Sequence, residues 1–192
     1  MDTKKITFKI RLLSTLLIFI SILIIGYIDC SDKNQKQIEN KMISNFYTTI
    51  EIEKEQVKEN YIAIIEIPKI NLKTGLVDPK SNNNTVEKHV QILNNSSMPD
   101  KENSSLFLAA HSGTSSISYF KNLYKLNVHD KVYIYYKNIK YTYQISDKYK
   151  EHKNGKITIT SPKTTTLIMT TCDKEKDKQL VMISNLILKE PY

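Results

Sequence analysis

From Asn60 to the C-terminus the chain is a series of short β-branched and aromatic runs, with no strand–helix alternation. Tyr61 to Ile67 is rich in isoleucine and is stopped by Pro68, and Leu76-Val77 is a second short run. Leu106 to Ala110 is continuously apolar, as a central strand is. Lys131 to Tyr136 and Ile139 to Ile145 flank Lys137-Asn138 like the arms of a hairpin. Ile157 to Thr160, Thr164 to Thr171 and Gln179 to Leu188 complete the set of strands. Ser81 to Asn84 reads as a loop, and Pro99-Asp100 as a turn. Thr85-Val86-Glu87-Lys88 reads as the start of a short helix, and Ile117, Phe120, Leu123, Tyr124 and Leu126 as one face of another. This pattern argues for an all-β barrel or sandwich.

A different kind of segment precedes the strands. Lys4, Lys5, Lys9 and Arg11 lead into an uncharged apolar run from Leu12 to Ile28, broken only by Ser14, Thr15, Ser21 and Gly26. That length is near the lower limit for a membrane-spanning helix, about 17–25 residues. Asp29 and Asp32 follow, so the charge asymmetry predicts a cytoplasmic N-terminus and an extracellular remainder. No small-x-small cleavage site is present, and Asp29 stands where a lipoprotein signal at Cys30 needs a small residue. The expectation is an uncleaved transmembrane anchor. In the polar stretch that follows, Ile38, Met42, Phe46 and Ile50 recur every four residues, which predicts a partly helical stalk. The expected organisation is residues 1–11 as a cytoplasmic basic segment, 12–28 as the anchor, 29–60 as the stalk and 61–192 as the folded β domain.

Charge narrows the partners. The net charge is +8, but only one of the 28 basic residues is arginine, and lysines alternate with acidic residues without forming a basic stripe. This argues against nucleic-acid binding and suits an anionic cell envelope.

Chemistry is concentrated at two strand ends. The chain has two cysteines, Cys30 and Cys172, too far apart in character to form a disulfide framework. Cys172 closes the run Thr166-Leu167-Ile168-Met169-Thr170-Thr171, and His111 closes Leu106-Phe107-Leu108-Ala109-Ala110. A thiol attacks as its thiolate, which a neighbouring imidazolium stabilises, and the same imidazolium can protonate a leaving amine. The spacing is not that of a zinc site. His89, His129 and His152 lie in polar, loop-like contexts and read as solvated.

These residues resemble the sortase family, the transpeptidases of Gram-positive bacteria. Thr166 to Cys172 is similar to the family's Thr-Leu-x-Thr-Cys signature, and Leu108 to Gly113 to its histidine segment. Tyr119-Phe120, Leu123, Leu126 and Asp130 resemble the segment after that histidine, and Ile65 to Ile70 the first strand. The resemblance covers about residues 61–188. It implies a mainly β, closed barrel of about eight strands with one or two short helices, following the transmembrane helix. It implies Cys172 as nucleophile and His111 as general acid and base, with no cofactor. Ser112, Thr171 and Ala110 would be substrate-binding. The implied substrates are surface proteins bearing an LPxTG-like sorting signal, and the acceptor an amine of a peptidoglycan precursor or a pilin. Papain-like enzymes place cysteine before histidine, the reverse of the order here. A non-catalytic sortase-fold module that binds sorting signals is the alternative reading.

One departure stands out. The family's arginine at the start of the last strand is replaced by Gln179, and the chain has no arginine beyond Arg11. Loss of a charge-assisted donor costs about 1–3 kcal/mol, or roughly 10- to 100-fold in rate. Three outcomes follow: Gln179 substitutes, Lys178 or Lys176 supplies the charge, or the enzyme is slow or inactive. Asp173 would disfavour the thiolate at close range, so its side chain is expected to point away from the sulfur.

Overall fold

A computed structural model of the chain describes residues 3–48, 60–154, 157, 164–175 and 177–192. The chain divides into two units, Met1–Asn40 and Lys41–Tyr192.

The described residues of the first unit lie within one helix, α1 (Thr3–Thr48). The expected anchor and the first part of the stalk are therefore one continuous helix, with no break at residue 28. The side chains of residues 3–16, 19 and 22 lie outside the described set, and with them the start of the expected span. Within the described part, Leu17, Ile18, Ile20, Leu23, Ile24, Ile25, Tyr27 and Ile28 are all exposed. Twelve helical residues rise only about 18 Å, short of a hydrocarbon core of about 30 Å. Among the described residues no helix is long and apolar enough to cross a membrane, so the structure supplies the helix but not the span.

Among the described residues the second unit has eight strands: β1 (Ala63–Ile67), β2 (Leu72–Leu76), β3 (Gln91–Ile92), β4 (Ser105–Ala109), β5 (Lys131–Tyr136), β6 (Ile139–His152), β7 (Thr166–Cys172) and β8 (Lys178–Pro191). They form one sheet in the order β2-β1-β5-β6-β8-β7-β4-β3. Only β4 and β7 run parallel. Every strand sends side chains into a single buried cluster that includes Ile65, Leu76, Ile92, Leu108, Ile134, Tyr143, Met169 and Met182. A sheet whose two edges both contribute to one core has curled around it, giving a nearly closed barrel. The β5–β6 hairpin turns through Lys137 (φ 50°) and Asn138 (φ 61°), the paired left-handed conformation of a type I′ turn.

Three expectations need correction. The segment around Ile117 to Leu126 is not an α-helix but a chain of tight turns ending in a short 3₁₀ helix, Leu123–Lys125. The Leu123 N–H donates to the Phe120 carbonyl and the Leu126 N–H to the Leu123 carbonyl, each at 3.0 Å. That three-residue repeat buries Phe120, Leu123 and Leu126, while Tyr124, assigned to the same face by a 3.6-residue period, is 50% exposed. The stretch from Thr85 makes a single turn rather than a helix, closed by the His89 N–H on the Thr85 carbonyl at 2.9 Å. His89 is not a solvated loop histidine, because its ring packs edge-on against Tyr61 at 5.8 Å. The expected strand from Ile157 to Thr160 falls mostly outside the described residues.

Candidate active site

Hydrogen bonding carries the β4 and β7 chains side by side to their ends. Ala109 pairs with Thr170 in parallel register. The Thr171 hydroxyl then donates to the Ala110 carbonyl at 2.7 Å. His111 is the residue after Ala110, and Cys172 the residue after Thr171. The Phe120 N–H donates to the His111 carbonyl at 3.0 Å, so the turns after β4 fold back and fix the histidine backbone. His111 and Cys172 are both half-buried.

Cys172 is a free thiol. Leu167 and Met169 face the core, so alternation along β7 turns Cys172 to the other face. It opens onto a cavity of about 350 Å³ lined by Ser112, Phe120, Tyr124, Thr171, Leu180 and the lysines 121, 148, 150 and 174, among others. Of the expected site residues, Ser112, Thr171 and Cys172 line this cavity, while His111, Gln179 and Ala110 are not among its lining residues. Ala110 is buried in the core cluster.

Gln179 lies directly across from Cys172 in the antiparallel β7–β8 pair, and Glu151 of β6 lies directly across from Gln179. The three side chains therefore share one face. The Gln179 Nε2 donates to Glu151 Oε1 at 3.1 Å, and its Oε1 accepts from the Thr170 hydroxyl at 3.3 Å. The amide is buried and engaged on both ends.

Of the two lysines the sequence offers as a substitute charge, the described one is engaged by a carboxylate. Lys178 pairs with Glu175 at 2.5 Å, and Lys176 lies outside the described residues. Among the described residues, Lys153 brings a cation to the thiol: its Nζ donates to Cys172 Sγ at 3.2 Å. Its backbone N–H is tied to the Asp177 carbonyl at 2.8 Å, which fixes the end of β6 against the β7–β8 turn. The sequence concealed it because β6 runs seven residues beyond the expected end at Ile145, through a polar stretch with no apolar alternation.

Asp173 also lines the cavity, next to the thiol, but its carboxylate is committed elsewhere. Asp173 Oδ1 accepts from the Glu175 N–H at 2.9 Å and pairs with Lys150 at 3.0 Å. The Glu175 N–H, together with the Lys150 ammonium, holds this carboxyl below its ordinary range despite burial. Among the described residues no group of three or more His, Cys, Asp or Glu side chains is placed to hold a metal ion.

The arrangement is a nearly closed barrel with a half-buried thiol at one strand end and a histidine just past the end of its parallel neighbour. Residues 65–187 match the sortase domain family, and the chain belongs to that family. It is similar in structure to a Clostridium perfringens sortase D5 transpeptidase, with a TM-score of 0.63 and 22% identity over 79% of this chain and 99% of that one. It is also similar to Listeria monocytogenes sortase A (TM-score 0.59, 19% identity, 69% of this chain and 90% of that one). For Streptococcus agalactiae sortase C1 the TM-score is 0.59, with 23% identity over 71% of each chain. At such identities the likeness establishes the fold. No curated protein matches by sequence.

Proposed function

We propose that this chain is a cysteine transpeptidase that cleaves an LPxTG-like sorting signal and transfers the N-terminal fragment, through its new acyl end, to an amine. The observation that carries the reading is the side-by-side termination of β4 and β7, which delivers His111 and Cys172 to adjacent strand ends within a sortase domain. The Cys172 thiol gives its proton to His111, and the thiolate sulfur bonds to the scissile carbonyl carbon. The carbon–nitrogen bond then breaks, and the leaving amine takes the proton from the imidazolium. An acceptor amine next attacks the thioester carbonyl and loses a proton to His111, the new carbon–nitrogen bond forms, and the thiolate is expelled. The acceptor would be a peptidoglycan-precursor or pilin amine. The apolar part of the cavity, Phe120 and Leu180, suits the leucine and proline of such a signal. Membrane attachment through residues 12–28 belongs to the same proposal. It is supported by the uncharged run in the sequence and by the exposed apolar side chains from Leu17 to Ile28.

Incubation with a panel of sorting-signal peptides, read by intact mass, tests the reading. Wild type should gain a thioacyl adduct, whereas Cys172→Ala and His111→Ala should not. No adduct and no cleavage across the panel would overturn it, and binding without adduct would favour a peptide-binding module instead.

A further inference from the structure

We infer that Lys153 is the cationic partner of the Cys172 sulfur, filling the electrostatic role that Gln179 cannot. The inference deepens the transpeptidase reading and rests on Cys172 being its nucleophile. Three observations converge on it. The Lys153 ammonium donates to Cys172 Sγ at 3.2 Å, a contact that strengthens when the sulfur becomes an anion. Gln179 is uncharged, and its amide is held by Glu151 and Thr170. The competing charges are committed to each other: Asp173 is paired with Lys150, and Lys178 with Glu175. Among the described residues the cavity also carries Lys121, Lys148 and Lys174; Lys148 donates to the Tyr124 and Leu126 carbonyls at 2.7 Å, and Lys174 lies over the Tyr124 ring at 5.2 Å.

The topology explains why a residue outside β7 and β8 reaches the sulfur. β8 is flanked by β6 and β7, and the row Glu151, Gln179, Cys172 crosses all three strands. Lys153 follows the last residue of β6, two positions beyond Glu151, and its bond to the sulfur places its side chain on the side of that row. Its backbone bond to Asp177 holds it beyond the end of β8, from where a four-carbon side chain reaches the thiol. An arginine at 179 and a lysine at 153 would thus approach the sulfur from neighbouring positions.

Alkylation by iodoacetamide tests this without any sorting peptide. The thiolate displaces iodide, so a carbon–sulfur bond forms as the carbon–iodine bond breaks, and the rate follows the thiolate fraction. The full chain is used, and the Cys172 peptide is quantified by mass spectrometry so that Cys30 does not contribute. At neutral pH and low salt, Lys153→Met should slow alkylation about tenfold, and Lys153→Arg should stay within about threefold of wild type. Lys189→Met, which removes an equal charge from the far end of β8, should react at the wild-type rate. Raising salt to about 1 M should narrow the Lys153→Met gap, because screening then acts over about 3 Å. Lys153 is exposed, so its replacement leaves the fold intact. A Lys153→Met rate within about twofold of wild type would overturn the inference, as would failure of arginine to restore it. Failure of the transpeptidase reading would look different: a Lys153-dependent thiol that forms no adduct with any sorting peptide.

Discussion

Placing the family's arginine back at position 179 separates a weakened site from a rewired one. Residue 179 pairs directly with Cys172, and side chains so paired have Cβ atoms about 4.5–5.5 Å apart. A guanidinium there can approach the sulfur to roughly 4 Å, where a unit charge is worth about 1 kcal/mol in water-like surroundings and about 4 kcal/mol at a partly buried surface. Two features blunt that gain. Lys153 already stands 3.2 Å from the sulfur, so a second cation adds repulsion along with attraction. Glu151, which accepts from the Gln179 amide at 3.1 Å, would also draw the fork away. Gln179→Arg alone should therefore raise kcat/KM for thioacyl formation by no more than about threefold. Lys153→Met should lower it about tenfold, and the double variant should return to within about threefold of wild type. The corresponding coupling energy is about 1 kcal/mol between the two positions. Initial rates of adduct formation by intact mass, with one sorting peptide and all four proteins, provide the measurement. An acceleration of about 30-fold or more in Gln179→Arg alone would mean that the native site lacks a cation, and would refute the role given to Lys153.

Two further predictions concern the scaffold. A Cβ at Gly75, in β2, would lie 1.9 Å from the Tyr61 ring, so Gly75→Ala should cost about 2–3 kcal/mol in a denaturant melt, and Tyr61→Ala should remove most of that penalty in the double variant. Asp130 accepts from Lys69 at 2.7 Å and from the Asn127 N–H at 2.7 Å. Burial opposes its ionisation, but these bonds outweigh it and hold the carboxyl below its usual range. A carboxyl lowered in the folded state stabilises above its unfolded pKa of about 3.9, and that stabilisation is lost as pH falls through the folded value. Asp130→Asn should therefore destabilise by about 1 kcal/mol at neutral pH and by progressively less in acid, and a gap unchanged below about pH 3 would contradict the assignment.

What could be read from the sequence follows how each element is stabilised. Strands that bury alternating or continuous apolar side chains announced themselves: Ile64 to Ile67, Leu106 to Ala109 and Leu167 to Met169 are buried or half-buried where they were expected. β3 has two residues and no period to detect, and it exists because Gln91 and Ile92 pair with Ala109 and Leu108. The far half of β6 is polar and is held by the pairing of its six residues Asp147 to His152 with β8 rather than by burial, so hydropathy could not find its end. That polar half of β6 leads into Lys153, whose Nζ reaches Cys172 Sγ at 3.2 Å. Positions near a missing arginine in the sequence, Lys176 and Lys178, were natural substitutes, because they share its loop and strand. In a curled sheet the nearest neighbours of a β8 residue also lie on β6, some 28 residues away in the chain, as the bond between Gln179 and Glu151 demonstrates. A substitution that removes a charge from one strand is therefore best sought across the ladder, at the same level on the flanking strand. By that rule the segment around Glu151 to Lys153 was the place to look, and only the register, fixed by pairing that leaves no trace in hydropathy, could point to it.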